Sequence, residues 1–186
     1  MRKILFAIAV LFPLAVINQN KQAGNEKETK ADSIRFVTKE SFGSSKNPQL
    51  RLENMKEVQA YLKECKAFFI ATVDGDQPHV RPFGVSEIIN GRLYIMTGKV
   101  KNVYKQIAAN GKFEICALKP SGSEWMRLTG TLVNDESLAV KEEFLNRNEG
   151  LKSMYKADDD NMAVLYITHA TARFCSFSAP ERIVNF

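Results

Sequence analysis

From about residue 54 onward the chain alternates between a helical and a strand period of hydrophobic positions. Met55, Val58, Tyr61, Leu62 and Cys65 share one helical face, Lys56, Glu57, Lys63 and Glu64 the other, and Asn54 is placed to cap a helix over Met55–Cys65. Ala67–Val73 is short, apolar and partly β-branched, the pattern of a strand. Asp74-Gly75-Asp76-Gln77 reads as a hairpin loop, and Pro78–Val85 as the return, with Arg81, Phe83 and Val85 alternating with Val80, Pro82 and Gly84. Pro82 has no N–H, so its strand belongs at an edge, a bulge or an opening, and an opening beside Arg81 is what a ligand needs. Asn90-Gly91 lies between two apolar runs, the strongest local hairpin signal. On the return strand Leu93 and Ile95 face one way, Tyr94 and Met96 the other. Val100, Val103, Tyr104, Ile107 and Ala108 then form a helical stripe, ended by Asn110-Gly111 as residues tolerant of the left-handed conformation.

The remaining pattern is mostly strand. Lys112–Leu118 turns Phe113, Ile115 and Ala117 to one face. Glu124–Val133 turns Trp125, Arg127, Thr129 and Thr131 to one face, and Gly130 within it marks a bend or a close backbone approach. Asn134 or Asp135 can cap a helix over Ser137–Asn146, with a shorter helix over Glu149–Tyr155. Ala163–Ile167 and Ala170–Phe177 read as two last strands joined by Thr168-His169. Short antiparallel strands, two hairpins and peripheral helices predict a mainly β domain over 51–186, a small barrel with helices packed outside.

Charge and composition narrow the function. Residues 1–50 carry 8 Lys/Arg against 4 Asp/Glu, and residues 51–186 carry 18 against 17. The domain is thus nearly neutral, which argues against a nucleic-acid partner despite the overall charge of +5. Arg2 and Lys3 precede 14 uncharged residues, Ile4–Ile17, the layout of a signal peptide over 1–20. That run is too short to span a bilayer comfortably, and the expectation is export to a bacterial periplasm with no stable membrane span in the mature chain. An uncleaved N-terminal anchor and a cytoplasmic protein are the alternatives. The polar stretch after it, with Gly43, Ser44, Ser45 and Pro48, makes 21–50 a flexible linker. Cys65, Cys116 and Cys175 are widely spaced, with no CxxC and only His79 and His169 as histidines, so they read as buried apolar side chains and no metal site is expected. Asp158-Asp159-Asp160 matches no calcium loop and reads as a solvated turn.

One place in the pattern suggests chemistry. Thr97, Lys99, Lys101 and Asn102 surround the start of the second helix, where free N–H groups and the positive end of the helix dipole suit a phosphate.

Taken as an ordered set, FFIATVDGDQPHVRPFG, NGRLYIMTGKVKNVYKQI, EWMRLTG and ARFCSFS resemble the FMN-binding split-barrel, pyridoxamine 5′-phosphate oxidase-like proteins, over about Met55 to Phe177. The resemblance implies a split β-barrel of about six to seven antiparallel strands, FMN as cofactor and a homodimer with the cofactor at the interface. By position, Arg81 resembles a flavin-phosphate contact, and Pro82, Phe83 and Gly84 the backbone along the ring. Met96 and Thr97 resemble the strand end touching flavin and phosphate, and Lys101 and Asn102 the phosphate contacts at the helix start. Glu124, Trp125 and Met126 resemble a segment reaching the partner's flavin, and Phe174, Ser176 and Phe177 lie near C-terminal ring contacts. The implied function is an oxidoreductase passing electrons from a reduced nicotinamide or other donor to a small-molecule acceptor. The catalytic residues are not legible. The alternative is a non-enzymatic flavin- or haem-binding storage or sensor module. A true pyridoxamine-phosphate oxidase is not expected. Ser86 stands where the oxidases carry a phosphate-binding lysine, and the chain ends in APERIVNF without the oxidases' substrate-gripping histidine.

Overall fold

Asn47 begins the first helix, its side chain accepting hydrogen bonds from the N–H groups of Gln49 and Leu50, with Pro48 in the first turn, where its missing N–H costs nothing. The computed structural model describes residues 47–186, so the expected signal peptide and nearly all of the expected linker lie outside the described residues. Helix α1 is Pro48–Cys65; it starts well before the Asn54 cap that the amphipathic stripe suggests, because its first turns are exposed and carry no apolar pattern. Strands β1 (Phe68–Asp74) and β2 (Gln77–Phe83) form a hairpin, and β3 (Ser86–Ile89) and β4 (Arg92–Gly98) a second. Asn90 (φ 48°) and Gly91 (φ 72°) both occupy the left-handed region that a two-residue hairpin turn requires. Helix α2 (Asn102–Ala109) leads to β5 (Lys112–Leu118) and β6 (Glu124–Asp135). Helix α3 (Leu138–Arg147), a 3-10 turn over Glu149–Ser153, β7 (Met162–Ser176) and β8 (Arg182–Asn185) complete the chain.

The strand order is β2-β1-β5-β6-β7-β4-β3, with β8 beside β7, and every pair is antiparallel. β2 and β3 sit at opposite edges of this order, yet only Gly84 and Val85 separate them. The three Cα steps from Phe83 to Ser86 reach about 10 Å at most, so the edges must approach one another and the sheet must curl into a barrel with a split between β2 and β3. The alternating pattern across Arg81–Val85 reads as one continuous strand; the structure breaks it there, which puts Pro82 on an edge strand with no ladder bond to lose. The barrel is filled by Val58, Leu62, Phe68, Ile70, Leu93, Ile95, Ile115 and Leu128 among others. A second cluster, with Tyr94, Met96, Phe144, Tyr155 and Val164, packs α3 against the outer face of β4 and β7.

Several local expectations are corrected. The sheet has eight strands, not six or seven, among the described residues. The last two expected strands are one, β7, which passes through His169 at φ 52° opposite the register shift between Thr129 and Thr131. Gly130 is required there because a Cβ would lie 2.9 Å from the Thr168 carbonyl oxygen. β7 pairs with β4 before this bend and with β8 after it. β8 itself is too short and irregular in pattern to be read from sequence. Gly111 is not left-handed: it is small because a Cβ would come within 2.8 Å of the Leu132 carbonyl oxygen. α3 is capped by Ser137, and Asp135 instead accepts the Ser137 N–H. Val100 precedes α2 and is exposed. Cys116 is exposed rather than buried, since Phe113, Ile115 and Ala117 take the inward parity of β5, and Cys65 and Cys175 are half-buried. Among the described residues no helix is long and apolar enough to cross a membrane, and no group of three or more potential ligands gathers to hold a metal.

Candidate functional site

The inward parity of β1 ends in a polar residue, Thr72, and α2 likewise presents Gln106 beside the buried Val103 and Ile107. Both polar groups are buried and must be hydrogen-bonded there. Arg81, inward on β2, satisfies them. Its Nη1 donates to Thr72 Oγ1 at 2.6 Å and to the His79 carbonyl at 2.9 Å, and its Nη2 donates to Gln106 Oε1 at 2.7 Å. Thr72 Oγ1 donates in turn to Gln106 Oε1 at 2.6 Å. Every acceptor is neutral. Among the described residues no carboxylate pairs with Arg81, and its Nε–H has no partner, so burial pushes the guanidinium below its ordinary range with no anion to oppose it. An oriented, unneutralised guanidinium is well suited to an anion.

Arg81 forms one end of a cleft of about 240 Å³, also lined by Pro82, Phe83, Gly84, Val85, Met96, Thr97, Lys101 and Val103. The 3-10 turn and the residues after it supply the facing wall, through Leu151, Met154 and Tyr155. The cleft sits at the split, where the Gly84–Val85 link crosses between the edge strands. Lys101 is the N-cap residue of α2, and no side chain caps that helix start. Its exposed ammonium makes no ion pair among the described residues. The neighbouring Lys99 is not free in this way: Glu136 holds its ammonium at 2.9 Å and raises its pKa. The cleft therefore combines two uncompensated cations, an uncapped helix start and an apolar wall.

The structure thus gathers Arg81, Pro82, Phe83, Gly84, Met96, Thr97 and Lys101 in one cleft. Asn102, the first residue of α2, is exposed and outside its lining. Glu124 lines a different cavity of about 290 Å³, with Glu57, Tyr61, Lys119, Phe174, Cys175, Ser176 and Arg182. Its charges are largely paired within the protein: Lys119 lies 3.0 Å from Glu124, and Arg182 pairs with Glu57. Although this cavity is the larger, the cleft is the better candidate because its cations have no such partners. Trp125 points outward from β6 with its ring 5.2 Å from that of Phe177, and Met126 is sealed in the barrel core. Sequence reasoning missed Thr72, Gln106, Leu151, Met154 and Tyr155. For the first two a signal existed, a polar residue at an inward position of an apolar face. For the last three none did, since nothing local ties the residues after α3 to Thr97.

A family model described as pyridoxamine 5′-phosphate oxidase matches residues 55–176. The chain belongs to the pyridoxamine 5′-phosphate oxidase family. Within the structures related to this family, a NimC/NimA family protein from Clostridium acetobutylicum is 40% identical, covers 75% of this chain and 96% of its own, and superposes with a TM-score of 0.72. A pyridoxamine 5′-phosphate oxidase-related, FMN-binding protein from Nostoc punctiforme is 16% identical over 71% of this chain and 86% of its own, with a TM-score of 0.51. A heme-binding protein from Mycobacterium smegmatis is 11% identical over 75% of this chain and 58% of its own, with a TM-score of 0.55. These last two share the fold. No curated protein matches the chain.

Proposed function

We propose that this protein binds FMN in the cleft at the barrel split and, as a homodimer, passes electrons from a reduced nicotinamide or other donor to a small acceptor. The observation that carries the reading is the pair of uncompensated cations, Arg81 and Lys101, facing one cleft beside the uncapped start of α2. A flavin phosphate brings nearly two negative charges to such a place. The donor set fits: Arg81 and Lys101 would hold the phosphate, while the Pro82–Gly84 backbone, Met96, Leu151 and Met154 offer the ring an apolar wall. FMN, when bound, supplies the electron-transfer chemistry, and the chain supplies binding, orientation and exclusion of water.

A second copy of the chain completes the reading. The cleft falls below the roughly 300–1,000 Å³ that enclose a drug-sized ligand, so one protomer holds only part of the flavin. The outward parity of β2, β1, β5 and β6 carries Val80, Phe69, Leu118 and Trp125, and Phe177 just past β7 is 81% exposed. A sheet face carrying this many exposed apolar side chains, interrupted by the Arg127–Glu114 ion pair, favours a partner. Pyridoxamine phosphate is disfavoured as substrate. Ser86 is buried in β3, and the C-terminal residues are bound into the sheet by β8 with Phe186 in the core, so they form no free arm over the cleft. A histidine-held haem has no anchor there either, since neither His79 nor His169 lines the cleft.

The test is direct. Purified protein titrated with FMN is expected to quench flavin fluorescence at one FMN per chain, and the yellow complex to bleach when NADH or NADPH is added without oxygen. No uptake of FMN overturns the reading. Uptake without bleaching by any reductant tried reduces it to a flavin-binding module.

A further inference from the structure

The flavin reading leaves one polar group in the cleft unassigned. Tyr155 is only 8% exposed, packed with Tyr94, Met96 and Phe144, yet it lines the cleft with Arg81, Thr97 and Lys101. Its Oη makes no hydrogen bond with any described residue. Nor is it sealed away: the buried side-chain atoms without partners are Tyr61 Oη, Ser86 Oγ and Asn134 Oδ1. A tyrosine so deeply packed normally finds a partner for its hydroxyl, so an open Oη with none among the described residues leaves room for a donor bond to a ligand.

The place of that hydroxyl says which part of a ligand it meets. A Cβ on Gly98 would lie 3.4 Å from Tyr155 Oη and 3.0 Å from Asn161 Oδ1. The hydroxyl therefore sits over Gly98, between Thr97 and Lys101 in the chain, both of which line the cleft. Resting on the flavin reading, we infer that Tyr155 Oη donates a hydrogen bond to the phosphate of the bound flavin. Arg81, Lys101 and the helix start are all donors, so the group they gather around accepts, and a phenol hydroxyl adds one more donor of defined direction. A side chain at Gly98 would crowd Asn161, which carries the loop by accepting the Val100 N–H at 3.2 Å, while only touching Tyr155 Oη.

Tyr155→Phe removes the hydroxyl alone. Since that hydroxyl has no partner among the described residues, the ligand-free variant is expected to melt at the wild-type temperature. FMN is expected to bind about tenfold or more weakly, the loss typical of one hydrogen bond to a charged group, while riboflavin, which lacks the phosphate, binds wild type and variant alike. Unchanged FMN affinity, an equal loss for riboflavin, or a lowered ligand-free melting temperature each overturns the assignment while the flavin reading stands. If wild type takes up no FMN, the flavin reading itself fails and this assignment with it.

Discussion

Arg81 has two duties that pull on the same guanidinium. Its Nη groups add charged donors to the buried Thr72–Gln106 pair, and its charge is left for a ligand. Arg81→Ala should therefore weaken FMN binding by about 1.5–3 kcal/mol and also lower the stability of the ligand-free protein, because the buried Thr72–Gln106 pair loses the two guanidinium bonds it accepts. Isothermal titration with FMN and a urea melt read the two effects separately. An affinity matching that of wild type would remove Arg81 from the site. Lys101→Ala should weaken FMN but leave the ligand-free urea midpoint unchanged, since that ammonium supports nothing else in the protein.

At the scale of elements, two devices hold the fold around the cleft. The first is the carboxylate of Glu136, just before α3. It accepts from Lys99 at 2.9 Å and from Lys141 at 3.1 Å, which pulls its pKa from 4.5 down to about 2 and ties α3 to the end of β4. A depressed pKa stabilises the fold above the unfolded value, and that contribution fades as pH falls from about 4.5 towards about 2. The side chain is 60% exposed, so solvent screens much of the effect. Urea melts of wild type and Glu136→Gln should differ at pH 6 and converge near pH 2; a constant gap would mean the ion pairs contribute nothing. The second device is β8, which returns to β7 so that Phe186 is buried in the barrel, its backbone exchanging two hydrogen bonds with Ala170. Phe186→Ala should cost about 3–5 kcal/mol in a denaturant melt, the usual range for emptying such a site.

At the scale of the whole molecule, the curled sheet has an inner face filled by its own core and an outer face that exposes apolar side chains on β2 and β1. Val80 stands on β2, which flanks the split, and Phe69 on its neighbour β1, so a second copy docked there would come close to the cleft. Phe69→Glu is expected to convert a dimer to a monomer in sedimentation equilibrium and to weaken FMN binding with it. A wild-type monomer at micromolar concentration, or a dimer insensitive to this charge, would count against an interface on this face.

The linear pattern determined the local periods: the inward parity of β1 and β5, the Asn90-Gly91 turn, the amphipathic face of α1, and the gathering of Thr97 and Lys101 at a strand-to-helix junction. Those features rest on neighbours within a few residues, where side-chain direction follows from backbone period alone. The family could be recognised for the same reason, as an ordered run of such local motifs. Only the tertiary structure decided that Arg81 reaches across to Thr72 and Gln106, that the strand through Pro82 breaks to join opposite sheet edges, and that Tyr155 stands over Gly98. Each of these depends on which strand lies beside which after the sheet curls. That arrangement is fixed by contacts between distant segments competing for one core, and no short stretch of sequence carries it.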